Sequence, residues 1–511
     1  MNRLTARELI TVVTDDGSWR PWDTTLPRAE IDLQADPAYA KELADARAKT
    51  GLDEAVTTGA GMIGGHRVAI VVCEFEFLGG TIGIAAADRI TAAIRKATAE
   101  RLPLLMLPTS GGTRMQEGTH AFLQMVRITA AVTDHKHARL PYLVYLRHPT
   151  TGGVFASWGS LGHLTLAEPA AMIGFLGPRV YQAIHGSPFP SGVQTSENLH
   201  HRGLVDSVCP PGELAATVAD VLDILARPAT RARHQRPAHP GPSGDDVPAW
   251  TSVLATRHRD RPGTRDILRC ASRAVPLHGT GEGEAEDTLI VALARFGDAP
   301  CVLVGQDRDA QAARGAIGPA ALRQARRGMR LAAELDIPLV SLIDTPGGEL
   351  SGAAEEGAIA GEIARCLADL ITLDVPTLSI LLGQGTGGAA LALFPADRSV
   401  AATHAWLSPL PPEGASAILY RTVDRASELA ARQGIRATDL FSHGAVDAVI
   451  PEYPDARREP GAFSDRVAAT IRRELLALTS LDRTNRLQRR HQRFDRLATG
   501  RAGLAPVADT A

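Results

Sequence analysis

Four pairs of adjacent glycines each follow an apolar run in this sequence, at positions where bare backbone can take part in catalysis. They are Gly111-Gly112 after "PLLMLPTS", Gly152-Gly153 after "PYLVYLRHPTT", Gly347-Gly348 after "PLVSLIDTP" and Gly387-Gly388 after "PTLSILLGQGT". A glycine pair between a strand and a helix lets backbone N–H groups approach a substrate where a side chain would block it. Such amides, aided by the helix N-terminus, stabilise an oxygen that gains negative charge during a reaction. One pair alone is more often a turn, but four matched pairs favour oxyanion stabilisation.

Side chains that could act as catalysts are less well supported. Ser110 precedes a glycine pair, but no G-x-S-x-G motif surrounds it. His163 and His404 stand alone at apolar positions, which is typical of structural histidines. The sequence also has neither a Walker loop nor a complete dinucleotide-binding fingerprint. The residues therefore predict chemistry carried by backbone amides.

The elements that must position these glycines occur twice along the chain. The segment "LPYLVYLRHPTTGG" from residue 140 matches "VPTLSILLGQGTGG" from residue 375, at an offset of 235 residues. The same offset aligns Pro103 with Pro338 and Gly112 with Gly347. Since one register holds through separate features, we interpret the chain as a duplicated domain.

Each half alternates buried strands with amphipathic helices, which predicts an α/β layered fold with crossover connections. We expect a first domain over residues 1–226 and a second over 250–511, the latter ending in a helical tail. Residues 227–249, rich in Pro and Arg, are predicted to form a solvated linker.

Composition excludes several classes of function. The 511 residues carry a formal net charge of -3, which gives no electrostatic reason to expect nucleic acid as a partner. The five cysteines lack the spacing of zinc ligands, so no metal is expected. The chain opens without a secretory leader, and its apolar runs are broken well short of a membrane span. We expect a cytoplasmic protein that does not enter the membrane.

Both halves resemble one known enzyme. Residues 7–208, through "FLGGTIG", "SGGTRMQEG" and "PTTGGVFASWGSLGHLTLAEPAAMIGFLGPRV", resemble the beta subunit of bacterial acetyl-CoA carboxylase carboxyltransferase. Residues 250–496, through "RHRDRPGTRDIL", "GQGTGGAALAL" and "PPEGASAILY", resemble its alpha subunit. The resemblance implies two tandem crotonase-like (ClpP/crotonase) domains.

The same resemblance implies an activity and a set of partners. Carboxybiotin, presented by a biotin carboxyl carrier protein that a biotin carboxylase loads, would give its CO2 to acetyl-CoA and yield malonyl-CoA. Biotin would itself remove the methyl proton, so no side-chain base is needed. Oxyanions would develop on the thioester and on biotin. The family also implies a homodimer or a higher homo-oligomer, with each active cleft between a beta-type and an alpha-type half.

Site residues carry over motif by motif from this resemblance. The thioester oxyanion is assigned to Gly152 and Gly153, and the biotin oxyanion to Gly387 and Gly388. Substrate-binding positions are assigned around them, namely Gly111, Gly112, Arg114, Gly347 and Gly348.

The sequence departs from the family pattern in ways that leave alternatives open. The four-cysteine zinc ribbon that usually begins the beta subunit is missing, so no zinc is expected, and "TPGGELSG" stands where the alpha subunit usually has "TPGAYPG". One alternative is an enzyme for another acyl-CoA, such as propionyl-CoA. Another is a biotin-dependent decarboxylase. An alternative of a different class is an inactive subunit that only scaffolds a carboxylase complex.

Overall fold

The computed structural model describes residues 3–22, 36–226 and 247–499. The chain forms two compact units. Unit 1 comprises Met1–Asp223 together with Leu277–Glu284, and unit 2 comprises Ile224–Pro276 and Ala285–Ala511. The division lies close to the one expected from sequence, except that Leu277–Glu284 returns to unit 1. Most of the expected linker, residues 227–246, lies outside the described residues.

Unit 1 contains a seven-stranded sheet, a two-stranded sheet and the helices that pack on them. Its helices are α1 (Ala6–Val13), α2 (Pro37–Thr50), α3 (Ile84–Ala99), α4 (Gly118–His137), α5 (Pro178–His185), α6 (Ser196–His201) and α7 (Pro211–Leu225). Its strands are β1 (Arg20–Pro21), β2 (Val56–Ile63), β3 (His66–Cys73), β4 (Leu104–Leu107), β5 (Tyr142–Leu146), β6 (Thr150–Thr151), β7 (Leu164–Ala167), β8 (Ile173–Gly174) and β9 (Ser207–Val208).

Unit 2 contains an eight-stranded sheet and its helices. The helices are α8 (Ala249–Arg257), α9 (Thr264–Arg269), α10 (Arg308–Arg314), α11 (Pro319–Leu335), α12 (Gly352–Glu356), α13 (Ile359–Thr372), α14 (Gly387–Leu391), α15 (Pro412–Tyr420), α16 (Ala426–Arg432), α17 (Ala437–Ser442), α18 (Pro460–Thr479) and α19 (Arg483–Thr499). The strands are β10 (Arg273–Leu277), β11 (Leu289–Phe296), β12 (Ala299–Gln306), β13 (Leu339–Thr345), β14 (Thr377–Thr386), β15 (Arg398–Ala402), β16 (Trp406–Ser408) and β17 (Ala448–Ile450).

The two large sheets repeat one topology. The order in unit 1 is β1-β2-β3-β4-β5-β7-β9, and the order in unit 2 is β10-β11-β12-β13-β14-β15-β17, with β16 paired to β14. In both, one antiparallel hairpin (β2–β3 or β11–β12) is followed by strands that all pair in parallel. Strands β4 and β13 begin at Leu104 and Leu339, which are separated by the offset read from the sequence. The structure therefore confirms an α/β fold and contains the repeat.

Burial explains why the central strands are almost wholly apolar. Every residue of β4 and β5 is buried, as expected for parallel strands covered on both faces. In unit 1 the apolar faces of α3 and α4 complete this core through Ile90, Ile94, Ile128 and Val132. The parallel strands end at one edge of each sheet, and the glycine pairs follow at that edge.

Two features at the ends of the halves complete the architecture. In the tail, Arg490 is fully buried and donates to the carbonyl oxygens of Leu370 and Leu373, which end α13 and accept a cation well. In unit 1, the returning segment Leu277–Glu284 meets the main body closely, because Gly281 N–H donates to Gly203 O at 2.8 Å.

Of the helices described in residues 3–22, 36–226 and 247–499, none is long and apolar enough to cross a membrane.

Candidate active site

The loop after β4 is held in shape by its own hydroxyl group. Gly112 N–H donates to Ser110 Oγ at 3.0 Å, and the Ser110 hydroxyl donates to Gly112 O at 3.3 Å. Gly112 has a φ of +105°, which side-chain-bearing residues rarely adopt. Ser110 is fully buried. It therefore braces the turn, as expected for a residue outside a nucleophile motif.

Unit 2 repeats this arrangement at the equivalent position. Gly347 N–H donates to Thr345 Oγ1 at 3.1 Å, and the Thr345 hydroxyl faces Gly347 O at 2.9 Å. Gly347 has a φ of +141°. In unit 1 the Gly111 amide is also engaged, since it donates to Gly79 O at 2.8 Å. The amides of Gly111, Gly112 and Gly347 thus have internal partners, and these glycines shape the loops rather than supply free donors.

The second pair of unit 1 lies directly against the first. A Cβ atom built at Gly112 would be 3.4 Å from both Gly152 Cα and Gly153 N, so the two loops touch through bare backbone. Gly152 N–H donates to Phe175 O at 3.0 Å, and its φ is +63°. Within the described residues, the Gly153 amide has no hydrogen-bond acceptor. The protein therefore leaves this amide as a donor without an acceptor of its own.

The second pair of unit 2 opens helix α14. Gly387 and Gly388 are its first two residues, and the preceding Thr386 makes no side-chain capping bond. The first amides of a helix have no partner within the helix. Gly347 lies opposite, because a Cβ built there would be 3.7 Å from Thr386 Cγ2. The structure thus brings together the pairs that the sequence placed together in each half.

A buried polar network that the sequence analysis did not identify positions the two loops of unit 2. Gln306 Nε2 donates to Ala389 O at 2.8 Å, and Gln306 Oε1 accepts from Asp344 N–H at 3.0 Å. Gln311 Nε2 donates to Asp344 O at 3.0 Å and its Oε1 accepts from the Thr345 hydroxyl at 2.7 Å. These side chains join β12, α10 and β13 to the first turn of α14. Gln306 and Asp344 are polar residues at the ends of apolar strands, whereas Gln311 stands in the polar segment "DRDAQAAR" and has no distinguishing signal in the sequence.

Asp344 ties the same network to a cation. Its Oδ2 accepts from Arg308 Nη1 at 2.9 Å, and its Oδ1 accepts from Gln384 N–H at 3.0 Å. Both Asp344 and Arg308 are largely withdrawn from solvent, with side chains 1% and 10% exposed. A buried carboxylate needs such partners to remain charged. Asp344 therefore fixes the path of β14 just before the Gly387-Gly388 turn.

Arg114 occupies a different place from the one expected of a substrate-binding side chain. Its guanidinium is fully buried, pairs with Glu54 and donates to Thr81 O at 2.8 Å. Arg114 Nη1 also donates to the hydroxyl oxygen of Tyr39 at 3.3 Å. The neighbouring Glu117 accepts from Ile84 N–H at 2.5 Å, at the start of α3. In this structure the Arg114 side chain is held by Glu54, Thr81 and Tyr39 and offers no exposed donor to a ligand.

The two lone histidines have structural contacts. His163 Nδ1 accepts from Tyr142 N–H at 3.0 Å, which joins β7 to β5. His404 Nε2 donates to Pro454 O at 2.8 Å, and its backbone N–H donates to Glu452 Oε1 at 3.0 Å. Both rings are almost fully buried. In the ranges that the structure describes, no group of three or more His, Cys, Asp or Glu side chains could hold a metal ion.

Comparison of the sequence with known proteins gives consistent matches over nearly the whole chain. The family model of the carboxyl transferase domain matches residues 1–493. A probable biotin-dependent acyl-coenzyme A carboxylase beta3 subunit of Mycobacterium tuberculosis is 57% identical over 503 residues, which cover 98% of this chain and 100% of the relative. The acetyl-coenzyme A carboxylase carboxyl transferase subunits beta/alpha of Salinispora arenicola is 35% identical over 521 residues, covering 98% and 92%.

Comparison with solved structures concerns the fold. A crystal structure of transcarboxylase 12S superimposes with a TM-score of 0.71 at 20% sequence identity, covering 91% of this chain and 90% of that one. At this level of identity the match shows a shared fold only. It agrees with the duplicated α/β topology described above.

Proposed function

Since this chain belongs to the carboxyl transferase domain family, as a carboxyltransferase of biotin-dependent acyl-CoA carboxylases, we propose that it transfers CO2 from carboxybiotin to acetyl-CoA and forms malonyl-CoA. Enzymes of this kind work with a biotin carrier and a biotin carboxylase. The observation that carries the proposal is the pair of glycine turns, in which Gly153 N–H has no acceptor among the described residues and Thr386 makes no side-chain cap on the first amides of α14. The name of the Salinispora relative supports acetyl-CoA as the acceptor.

The thioester is assigned to unit 1. Loss of a proton from the methyl group of acetyl-CoA places negative charge on the thioester oxygen, and a fixed N–H donor lowers the energy of that state. The Gly153 amide can serve because Phe175 O holds the preceding Gly152. The absence of side chains at Gly112 and Gly152 lets the two loops touch and so holds the Gly153 amide in place. Here no acid or base from the chain is required.

Biotin is assigned to unit 2, where it would supply the activated carboxyl group when the carrier delivers it. The ureido oxygen of biotin carries partial negative charge and can accept hydrogen bonds from backbone N–H groups. Gly387 and Gly388 leave the first amides of α14 uncovered, and Thr386 does not cap them. Gly348 offers bare backbone opposite, since a Cβ there would be 3.8 Å from Ala389 Cβ. These features fit an oxygen ligand.

The finer fold and the assembly are also proposed. Repetition of one hairpin followed by parallel strands supports assigning both units to the crotonase-like class. Met115 and Leu350, which follow the first glycine pair of each unit at equivalent positions, are 81% and 98% exposed. Exposed apolar side chains such as these and the nearby Phe122 indicate a protein interface. We propose that they are buried in a homodimer or a larger homo-oligomer.

Reconstitution tests the activity and the choice of acyl-CoA. The purified chain would be mixed with biotin carboxylase, biotinylated carrier, ATP and bicarbonate, and carboxylated product measured with acetyl-CoA or propionyl-CoA. We expect malonyl-CoA, with acetyl-CoA giving the higher kcat/KM. Higher kcat/KM for propionyl-CoA would replace the proposed substrate. Failure to carboxylate either acyl-CoA, with a carrier shown to be loaded, would contradict the proposal.

A matched pair of variants links this activity to the glycine turn. Gly153→Val places a side chain whose Cβ would be 3.1 Å from Thr113 Oγ1, whereas a Cβ at Gly212 meets nothing within 4 Å. We expect Gly153→Val to abolish product formation and Gly212→Ala to leave it unchanged. Equal activity of both variants would show that the Gly153 turn is not part of the site.

A further inference from the structure

His148 stands two residues before β6 and contacts the segment on which that strand is built. Its ring Nδ1 accepts a hydrogen bond from Met172 N–H at 2.9 Å. Its own backbone N–H donates to Glu168 Oε2, also at 2.9 Å. The imidazole is half-buried. His148 therefore links the approach to β6 with two residues that flank β8 and β7.

Residues 172–175 act as a template for the Gly152-Gly153 turn. Thr150 N–H donates to Met172 O at 2.9 Å, and β6 pairs in parallel with β8. One step farther on, Gly152 N–H donates to Phe175 O at 3.0 Å. Gly152 is thus located by hydrogen bonds along this short segment, and His148 fixes the segment at its first residue.

The contact with Met172 defines the protonation state of the ring. A backbone N–H is only a donor, so Nδ1 must present its lone pair and the proton of the neutral ring must lie on Nε2. Protonation of Nδ1 would place two donors face to face. The hydrogen bond exists only while the imidazole is neutral.

The surroundings of His148 favour this neutral form near neutral pH. Burial lowers the pKa of His148, and the positive charge of Arg3 lowers it further, while Glu168 acts in the opposite direction. The adjacent Arg147 is turned away, with Nη1 donating to Cys73 O at 2.9 Å. The ring is expected to gain a proton only below its ordinary pKa of about 6.5.

The corresponding position in unit 2 has no ring. At the offset of 235 residues His148 aligns with Gly383, where a Cβ would lie 2.6 Å from Asp344 Oδ1. The shared fold therefore forms without an imidazole at this point. In unit 2 the Asp344 carboxylate holds the equivalent stretch by accepting from Gln384 N–H.

We propose that His148 is a positioning residue for the thioester site, whose neutral ring holds β8 in place and thereby locates the Gly152-Gly153 turn. This inference rests on the proposed function in one respect, namely that the turn serves the acyl-CoA. It makes activity toward acyl-CoA depend on the protonation of one side chain that touches no substrate.

Two substitutions separate the ring's acceptor from its bulk. In His148→Asn the amide Oδ1 can replace Nδ1 as an acceptor and does not titrate, whereas His148→Leu keeps similar bulk without an acceptor. At pH 8 we expect kcat/KM for the acyl-CoA within about twofold of wild type for His148→Asn, and about three- to tenfold lower for His148→Leu, the range for one lost hydrogen bond. Between pH 8 and 5 the wild type should lose activity relative to His148→Asn.

Amide hydrogen exchange supplies a readout independent of catalysis. Protection of residues 172–175, expressed relative to intrinsic exchange at each pH, should fall on acidification in wild type, stay constant in His148→Asn and be low throughout in His148→Leu. Constant protection in all three proteins would overturn the proposal, as would parallel pH profiles of wild type and His148→Asn. If protection behaves as expected but only carrier kinetics change, the assignment of this turn to acyl-CoA fails instead.

Discussion

Substitution of Gly388 tests directly whether unit 2 binds biotin while unit 1 binds the acyl-CoA. A Cβ built at Gly388 would lie 2.6 Å from Ile363 Cδ1, and the next two nearest atoms, at 3.5 Å, also belong to Ile363. The proposed perturbation is Gly388→Val. Valine carries two methyl groups on its Cβ, so rotation of the Ile363 Cδ1 methyl group alone does not remove the overlap. The collision occurs within unit 2, at the first turn of α14.

The size of the effect follows from this distance. Carbon atoms in contact lie about 3.5–4.0 Å apart, so the first turn of α14 or Ile363 must move by about 1 Å. A displacement of 1 Å at a reacting centre can cost on the order of 100-fold, and loss of one oxyanion donor has cost about 3 kcal/mol. We therefore expect carboxybiotin decarboxylation to slow by up to about 100-fold in Gly388→Val, the full effect arising when the backbone of α14 moves and Ile363 does not, with binding of acyl-CoA close to normal.

The assay needs a partner variant and a control. Ile363→Ala removes all three atoms nearest the new Cβ, so Gly388→Val with Ile363→Ala should recover at least tenfold of the lost rate. Gly352→Val is the matched control, since a Cβ at Gly352 meets nothing within 4 Å. Decarboxylation of the loaded carrier would be followed without acyl-CoA, and acyl-CoA binding would be measured by calorimetry. Circular dichroism and Tm would establish that each variant folds.

Three results would refute the reasoning. Native decarboxylation by folded Gly388→Val would show that the first turn of α14 does not serve biotin. Failure of Ile363→Ala to restore any rate would show that displacement by Ile363 is not the cause. Loss of acyl-CoA binding together with an unchanged decarboxylation rate would reverse the assignment of substrates to the two units.

Other outcomes can be checked on the purified chain. Thr386 Oγ1 is buried without a hydrogen-bond partner among the described residues, whereas Thr151 Oγ1 donates to Ser110 O at 3.3 Å. Calorimetry should therefore find that Thr386→Val is no less stable than wild type. Thr151→Val should be about 1 kcal/mol less stable, because it loses this hydrogen bond. Burial lowers the pKa of His135 to about 4, so the neutral ring is favoured on folding, and stability present above about pH 6.5 is lost as pH falls toward 4. Denaturant titration should show a loss of about 3 kcal/mol across that range that is absent in His135→Gln, and equal pH dependence of both proteins would contradict this. Elemental analysis should find no stoichiometric zinc, because the cysteines lack ligand spacing, and one zinc per chain would refute that expectation.

The features predicted from sequence are those that repeat or alternate. The constant offset identified the duplicated strands, and the resemblance to the carboxyltransferase family grouped the two glycine pairs of each half. The helical tail expected at the end of the second domain contains Pro460–Thr479, in which Val467, Ile471, Leu475 and Leu478 form a buried apolar stripe at helical spacing. A local sequence pattern was sufficient to predict a helix or strand wherever apolar residues repeat along one of its faces.

The supporting contacts could not be predicted in this way. Gln306 and Asp344 contact each other from different strands, and a single polar residue in a buried strand has no period that reveals its partner. The role proposed for His148 rests on its hydrogen bond with Met172, which flanks a strand of only two residues. So short a strand leaves no periodic pattern in the sequence. Arg114 was assigned to the substrate by resemblance to the family motif, and only its buried ion pair with Glu54 shows that the guanidinium points inward.

The returning segment Leu277–Glu284 has a consequence for how the chain folds as it is synthesised. Domains usually fold as units, beginning from the N-terminus while translation continues. Residues 1–223 lack two of the hydrogen bonds of unit 1, because Gly203 O and the Asp206 carboxylate accept from Gly281 N–H and His278 N–H, which follow the linker. Unit 1 therefore completes these contacts only after helices α8 and α9 of unit 2 have been synthesised. A gene cut within the linker would release a first polypeptide that lacks part of its own fold.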